Sequence, residues 1–236
     1  SVYRDPETGK DISLGNSWKA DVIIDKSYPE NANIDNYRDF ALYFQDEDNI
    51  LGTSFMPYLQ NVAGLTGVNY RLEPWTYRED EGCELGNMFT ACVAADSDPA
   101  TPTIKAHAGD NVMINVFGAH NEQNQMFNVD GHQWRRHLNQ KGSDMIDVEE
   151  FGSGEYIQAF FNAGGTYKNP GTYLWLDART PYQQAGQWGY LKVLPSGDRG
   201  ILPLGKATVK SVKTASHPEE ADKSASKTGD DKLSMR

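Results

Sequence analysis

Cysteine is almost missing from this chain: there are two, Cys83 and Cys92, in 236 residues. That excludes a cysteine-rich disulfide scaffold and a multi-thiolate metal cluster. Histidine is sparse too, at five residues, so an imidazole-based site has little to draw on. Basic residues are outnumbered, with 22 Lys and Arg against 33 Asp and Glu and a net charge of −11. Nothing basic is clustered enough to neutralise phosphates, which argues against nucleic acid as a partner. No apolar run approaches the roughly 20 residues of a membrane-spanning helix, and no secretory apolar segment opens the chain, which starts at Ser1. Sustained helical periodicity is scarce, which disfavours a helical bundle.

Turn formers and aromatics fill the space these absences leave: Gly 22, Tyr 12 and Pro 11. Strand-like alternation recurs between them. Phe40, Leu42 and Phe44 share one face of a first core strand that ends in Asp46, Glu47 and Asp48, read as a solvated acidic turn rather than a cation site. Residues 100–117 read as a β-hairpin, turning at Ala108-Gly109-Asp110 with Val112, Ile114 and Val116 inward. Phe127 and Val129 alternate next, and Tyr156 to Phe161 is a further strand. Between them, the carboxylates at 144–150 read as a solvated segment, with a hard-cation site as the lesser alternative. Tyr173 and Trp175 alternate in a strand, and after a Pro- and Gly-punctuated loop Tyr190 to Leu194 closes a second hairpin. The pattern predicts an all-β, Greek-key β-sandwich over residues 35–196. Residues 1–34 are expected to be a linker or lead-in, within which Ala20 to Ile24 is a strand-like patch. Residues 197–236 are expected to be a polar tail. From Asp198 onward it holds eight Lys and Arg against six Asp and Glu, leaving −13 on the body. Such a composition does not fold alone.

Two motifs carry a resemblance. Gly171-Thr172-Tyr173-Leu174-Trp175-Leu176-Asp177-Ala178, followed by Tyr182 and Gln187, resembles the terminal copper loop of a multicopper oxidase cupredoxin domain. That family writes Gly-x-Tyr-x-Tyr-His-Cys-His, then a His and a Met before the closing strand. Gln125-Met126-Phe127-Asn128-Val129-Asp130-Gly131-His132 resembles the family's His-x-x-His-x-His-Gly-His series. The frames are kept and the ligands are replaced. Gln125, Asp177, Tyr182 and Gln187 stand at the blue-copper positions, and Asn128, Asp130, Leu176 and Ala178 at the trinuclear ones. The nearest relatives by this resemblance are large multi-domain oxidases of the manganese-oxidase and ceruloplasmin kind, which mix copper-bearing with copper-less domains.

The resemblance implies a copper-free cupredoxin-like module: a structural or interaction subunit, or a terminal domain, with other cupredoxin domains as partners. No catalytic residue, metal or cofactor is expected in this chain, and copper is expected in partner domains. The vacated site is expected to be filled by hydrogen bonds among Gln125, Asp177, Tyr182 and Gln187 or by apolar packing, with Asp177 paired to Arg179 or another cation. One alternative is a metal-binding part using His107, His120, His132 and His137 with Asp130 or Asp177. Another is a small-molecule cleft lined by Tyr182, Trp134, Trp175 and Trp188, against the commoner role of such tryptophans in a core. Cys83 and Cys92 bracket a short loop and are read as a disulfide, with two buried thiols as the alternative. The disulfide reading implies an extracytoplasmic location.

Overall fold

A computed structural model of the chain describes residues 1–13, 17–46, 66–80, 82–89 and 98–205. Thirteen strands are present among these: β1 Val2–Arg4, β2 Lys19–Ile23, β3 Tyr37–Asp46, β4 Gly67–Val68, β5 Ile104–His107, β6 Asn111–Asn121, β7 Gln125–Val129, β8 Trp134–Arg135, β9 Met145–Ile146, β10 Val148–Phe151, β11 Tyr156–Asn162, β12 Gly171–Asp177 and β13 Trp188–Leu194. Two short helices, α1 Trp75–Asp80 and α2 Thr180–Ala185, lie in the connections. One sheet runs β1-β2-β3-β6-β11, with β4 also on β3, and the second runs β10-β7-β12-β13-β5. The chain crosses between the sheets at β4 to β5, β5 to β6, β6 to β7, β10 to β11 and β11 to β12. These crossings make the all-β Greek-key sandwich that the alternation predicts.

Period-two side chains from both sheets form one core. Phe40, Leu42 and Phe44 from β3 and Val112, Ile114 and Val116 from β6 meet Phe127, Val129, Trp175 and Leu191 from the second sheet. All of these are buried, while Tyr173, expected among them, is only partly covered and packs against their edge. At one end Phe44 meets Phe127, Phe151 and Trp175 edge-on, at ring separations of 5.4–6.1 Å. Such T-shaped contacts suit the ring quadrupoles.

Three expectations change. Residues 100–117 are not a hairpin, because β5 pairs in parallel with β13 and β6 pairs with β3 and β11. The Ala108-Gly109-Asp110 turn is a corner between sheets, with Gly109 at φ +86° and its N–H on Ala163 O. A corner and a hairpin use the same turn residues and differ only in distant partners. Asp46 is not solvated: it is buried, continuing the inward side of β3 past a register shift at Phe44 and Gln45. Residues 1–34 supply β1 and β2, and β2 pairs with β3. Asp21 and Val22 thereby enter the interior, so this stretch belongs to the first sheet. After β4 the chain turns at Asn69, φ 53°. Its side chain accepts from Tyr43 N–H at 2.7 Å and donates to Ala41 O at 3.0 Å.

On the outer face of the first sheet, half-buried Asp39 accepts from Asn115 Nδ2 at 2.7 Å, and Gln158 donates to Asn115 at 3.0 Å. Burial raises the Asp39 pKa to about 6 against the Asn115 hydrogen bond, which lowers it. The folded state therefore binds this proton more tightly than the unfolded chain. Its contribution to stability is full below about pH 4, declines as pH rises to about 6, and is lost above that. Asp39→Asn keeps the acceptor for Asn115. It is expected to match the parent near pH 4 and to gain about 1 kcal/mol above pH 6, allowing for partial exposure. That is about 2–4 °C in Tm. Thermal melts at the two pH values check it; an equal change at both would refute the linkage.

Candidate functional site

The two copper-loop frames meet where β7 and β12 pair. Trp175 lies opposite Val129, Leu176 opposite Asn128 and Asp177 opposite Phe127. Alternation then divides the positions on β7 and β12 by face. Gln125, on the inward side of β7 with Phe127 and Val129, is buried, as are Asp177, Tyr182 and Gln187. Of the other four, Asp130 and Ala178 are exposed and Asn128 is half-buried, with Nδ2 donating to Asp147 O at 2.8 Å. Leu176 packs with Trp188 and Tyr190 in a separate apolar cluster.

The inward group is organised by backbone. Asp177 N–H donates to Gln187 O at 3.0 Å, and Gln187 N–H to Tyr182 O at 3.0 Å, folding the loop back on its strand. Helix α2 supplies Tyr182 and ends at Gly186, φ +113°, where a Cβ would strike Glu73 backbone at 2.5 Å. Asp177 Oδ1 accepts from Arg179 N–H at 2.7 Å and Met126 N–H at 3.3 Å. Arg179 serves Asp177 through its amide, while its guanidinium donates to Gln123 Oε1 at 2.7 Å and to Asn124 O, and stacks on the Tyr182 ring at 4.9 Å. The expected ion pair is replaced by an Asx turn.

Asp46 is the member that the sequence reading missed. It lies beside Tyr182, whose phenol pKa is raised by burial and by the Asp46 carboxylate. Burial also raises the Asp177 pKa to about 7, with Asp46 adding to the shift and backbone hydrogen bonds opposing it. The signal was present in the alternation Phe40, Leu42, Phe44, carried one step further. Gln187 Nε2 donates to Gln45 O at 2.9 Å, tying the loop to β3. The expected mutual hydrogen bonds among Gln125, Asp177, Tyr182 and Gln187 side chains are absent. Both amide atoms of Gln125, and one oxygen each of Asp46, Asp177 and Gln187, have no hydrogen-bond partner.

His132 and His107 are held by partners outside this group, and the side chain of His120 lies outside the described residues. His132 is buried between Phe161 and Tyr173 at 4.6 and 4.8 Å. Its Nδ1 donates to Asp130 O at 2.8 Å and its Nε2 accepts from Gly164 N–H at 3.0 Å, so both nitrogens are used. Burial lowers its pKa. His107 bonds Asp198 O through Nε2 at 2.9 Å and faces Arg38 through Nδ1 at 3.4 Å. His137 is exposed. No group of three or more His, Cys, Asp or Glu side chains able to hold a metal occurs among the described residues. Trp134, Trp175 and Trp188 are fully buried, which is the core role. Cys83 is buried; Cys92 lies outside the described residues, as do Glu47, Asp48 and residues 206–236 of the tail. No helix among the described residues is long and apolar enough to cross a membrane.

A family model described as multicopper oxidase matches residues 81–198, half of the chain. Among solved structures, the chain is similar to a blue copper oxidase from Nitrosomonas europaea (16% identity, TM-score 0.41, covering 66% of this chain and 43% of that one). It is also similar to a copper nitrite reductase from the same organism (14%, 0.38, 67% and 42%) and to a laccase from Botrytis aclada (12%, 0.43, 64% and 28%). The chain spans less than half the length of each of these structures. No curated protein matches it in sequence.

Proposed function

The chain belongs to the multicopper oxidase family, and from that premise we propose that it is a copper-free cupredoxin-like module. In this reading it is a structural or interaction subunit, or a terminal domain, of a multicopper-oxidase-like assembly. The observation that carries the reading is the chemistry of the inward group. Blue copper needs a thiolate and two imidazoles, whereas Asp177, Gln125 and Tyr182 offer a carboxylate, an amide and a phenol, and Gln187 stands for the axial thioether. The residues present do not fit that metal. Nor do Asn128, Asp130, Leu176 and Ala178 fit a share of a trinuclear cluster, since Leu176 and Ala178 cannot bind a metal in any protonation state. Redox chemistry then belongs to partner domains of the cupredoxin type, and this chain by itself is not an enzyme. An extracytoplasmic location and a Cys83–Cys92 disulfide go with this reading.

The alternative of histidine ligands finds no support in the engaged nitrogens of His107 and His132. Addition of Cu2+ to the full chain, followed by visible and paramagnetic resonance spectroscopy, is the test. The expected result is no intense thiolate-to-copper absorption and no blue-copper resonance. An intense blue band assigned to this chain overturns the reading.

A further inference from the structure

Each large sheet ends in two outer strands, and three of the four are blunted in the usual ways, by shortness and charge. β1 has three residues, among them Arg4, which meets Asp11. β5 has four and carries Lys105, and β10 has four and carries Glu149 and Glu150. β11 differs. Its seven residues, Tyr156–Asn162, include no charge and no proline, and among the described residues it pairs with β6 alone. Glu155 C=O accepts from Gly118 N–H at 3.0 Å and Ala163 N–H donates to Asp110 O at 2.9 Å, which marks the residues that turn their backbone toward β6. Antiparallel ladders alternate, so Ile157, Ala159 and Phe161 share that direction. Tyr156, Gln158, Phe160 and Asn162 turn N–H and C=O outward, where no partner meets them among the described residues. Glu155, at the start of the strand, is held back by Gly152 N–H on its Oε2 at 2.8 Å. The four outward residues also place their side chains on the outer face of the sheet. There Tyr156, 57% exposed, ends a ladder of stacked rings, Tyr43 on Phe117 at 4.8 Å and Phe117 on Tyr156 at 5.7 Å. Gln158 ends the polar row of Asp39 and Asn115 beside it.

We propose that β11 pairs antiparallel with β11 of a second copy of this chain, about a two-fold axis at Gln158, so that the first sheet runs on from one copy into the other. The proposal stands on the sheet order and not on the copper-free reading. A two-fold interface must be self-complementary, and this strand reads alike in both directions: aromatic Tyr156, aliphatic Ile157, amide Gln158, aliphatic Ala159, aromatic Phe160. With Gln158 facing its twin, Tyr156 falls opposite Phe160 of the second copy and Ile157 opposite Ala159. The outward-turned pairs then exchange both backbone hydrogen bonds. Gln158 Nε2 gives one N–H to Asn115 Oδ1 at 3.0 Å, which leaves its second N–H and its carbonyl for the facing amide. The ring ladder continues from Tyr156 onto Phe160 of the copy, an aromatic cross-strand pair of the stabilising kind. A two-fold axis at Ile157 or Ala159 instead sets Gln158 against an aromatic ring. Charge also selects this occupant. The chain carries −11, and β11 is an edge along which two such chains meet without setting carboxylate against carboxylate.

The test follows the full chain by sedimentation velocity across the micromolar range, where a reversible monomer–dimer equilibrium is expected. Gln158→Pro removes an outward N–H and no bond to β6, a place where edge strands accept proline. It is expected to weaken dimerisation at least tenfold. Gln158→Lys sets two like charges against each other on the axis and is expected to do the same. It keeps every backbone donor, so it decides the matter should the proline variant fail to fold, with circular dichroism as the check on both. The register is read by cross-linking. Under mild oxidation Gln158→Cys is expected to link to its twin, because facing Cα atoms in such a pair stand about 5.5 Å apart, within reach of a disulfide. Tyr156→Cys is expected to stay unlinked, since its twin stands about 13 Å away along the strand. A chain that stays monomeric throughout overturns the proposal, as does a dimer whose Kd is unchanged in the folded Gln158 variants. Linkage through Tyr156→Cys in preference to Gln158→Cys overturns the pairing about Gln158.

Discussion

Replacing Arg38 by Met is expected to destabilise the domain by about 3–5 kcal/mol, the cost of stripping one partner from a buried ion pair, and to lower Tm by about 10 °C. Arg38 is fully buried. Its Nε donates to Asp110 Oδ2 at 2.6 Å, its Nη1 to Asp21 Oδ1 at 2.7 Å and its Nη2 to Leu202 O at 2.7 Å. Methionine fills most of the volume but removes the donor from Asp21 and from the Leu202 carbonyl, and leaves Asp110 Oδ2 with the His107 N–H at 2.8 Å in place of a charge. Burial raises the Asp21 pKa to about 6 even with Arg38 opposing it, and loss of the guanidinium raises it further. A protonated Asp21 no longer needs a cation, so the deficit of the variant is expected to shrink as pH falls from 7 to 5. The double variant Arg38→Met with Asp21→Asn should recover part of the loss at pH 7. Because Leu202 O is one of the acceptors and Leu202 N–H donates to Pro6 O at 2.9 Å, residues 198–205 should become more sensitive to protease. A loss below about 1 kcal/mol with no pH dependence would mean that the cluster is not an electrostatic unit.

This cluster also marks where the sequence falls silent. The core was legible because apolar alternation is local: Phe40, Leu42 and Phe44, or Val112, Ile114 and Val116, can be assigned to a face from five consecutive residues. Arg38 and Asp46 sit on the same inward rhythm, yet a charge there is conventionally assigned to solvent. Their partners, Asp21, Asp110, Leu202 and Tyr182, lie 17 to 164 positions away in the chain, and only the pairing of β2, β3 and β6 brings them into reach. The 100–117 segment fails for a related reason, since a turn does not announce whether its two strands pair with each other or with different sheets. At the candidate site the resemblance located Gln125, Asp177, Tyr182 and Gln187, and alternation alone separates them from Asn128 and Asp130. What the frames did not convey is that Asp177 and Gln187 engage backbone and not each other's side chains.

The second large effect is expected at Gly189 on β13, the strand that pairs with β12. Gly189 of β13 lies opposite Trp175 of β12, and a Cβ built there would meet the Trp175 indole at 2.3 Å. The ring thus lies flat over the space that any other residue would fill. Trp175 cannot yield easily: it is fully buried, its Nε1 donates to Pro102 O at 3.0 Å, and it meets Phe44 edge-on. Gly189→Ala is therefore expected to cost about 3 kcal/mol, at the upper end of overpacking effects, even though alanine suits an extended backbone. Trp175→Leu should cost about 3–5 kcal/mol through lost burial and the orphaned Pro102 carbonyl. If the indole is the obstacle, the two costs are not additive, and Gly189→Ala placed on Trp175→Leu should cost at least 1 kcal/mol less than on the parent. Denaturant melts of the four proteins measure this coupling. Additive costs would show that Gly189 is demanded by its own backbone, and not by the Trp175 ring.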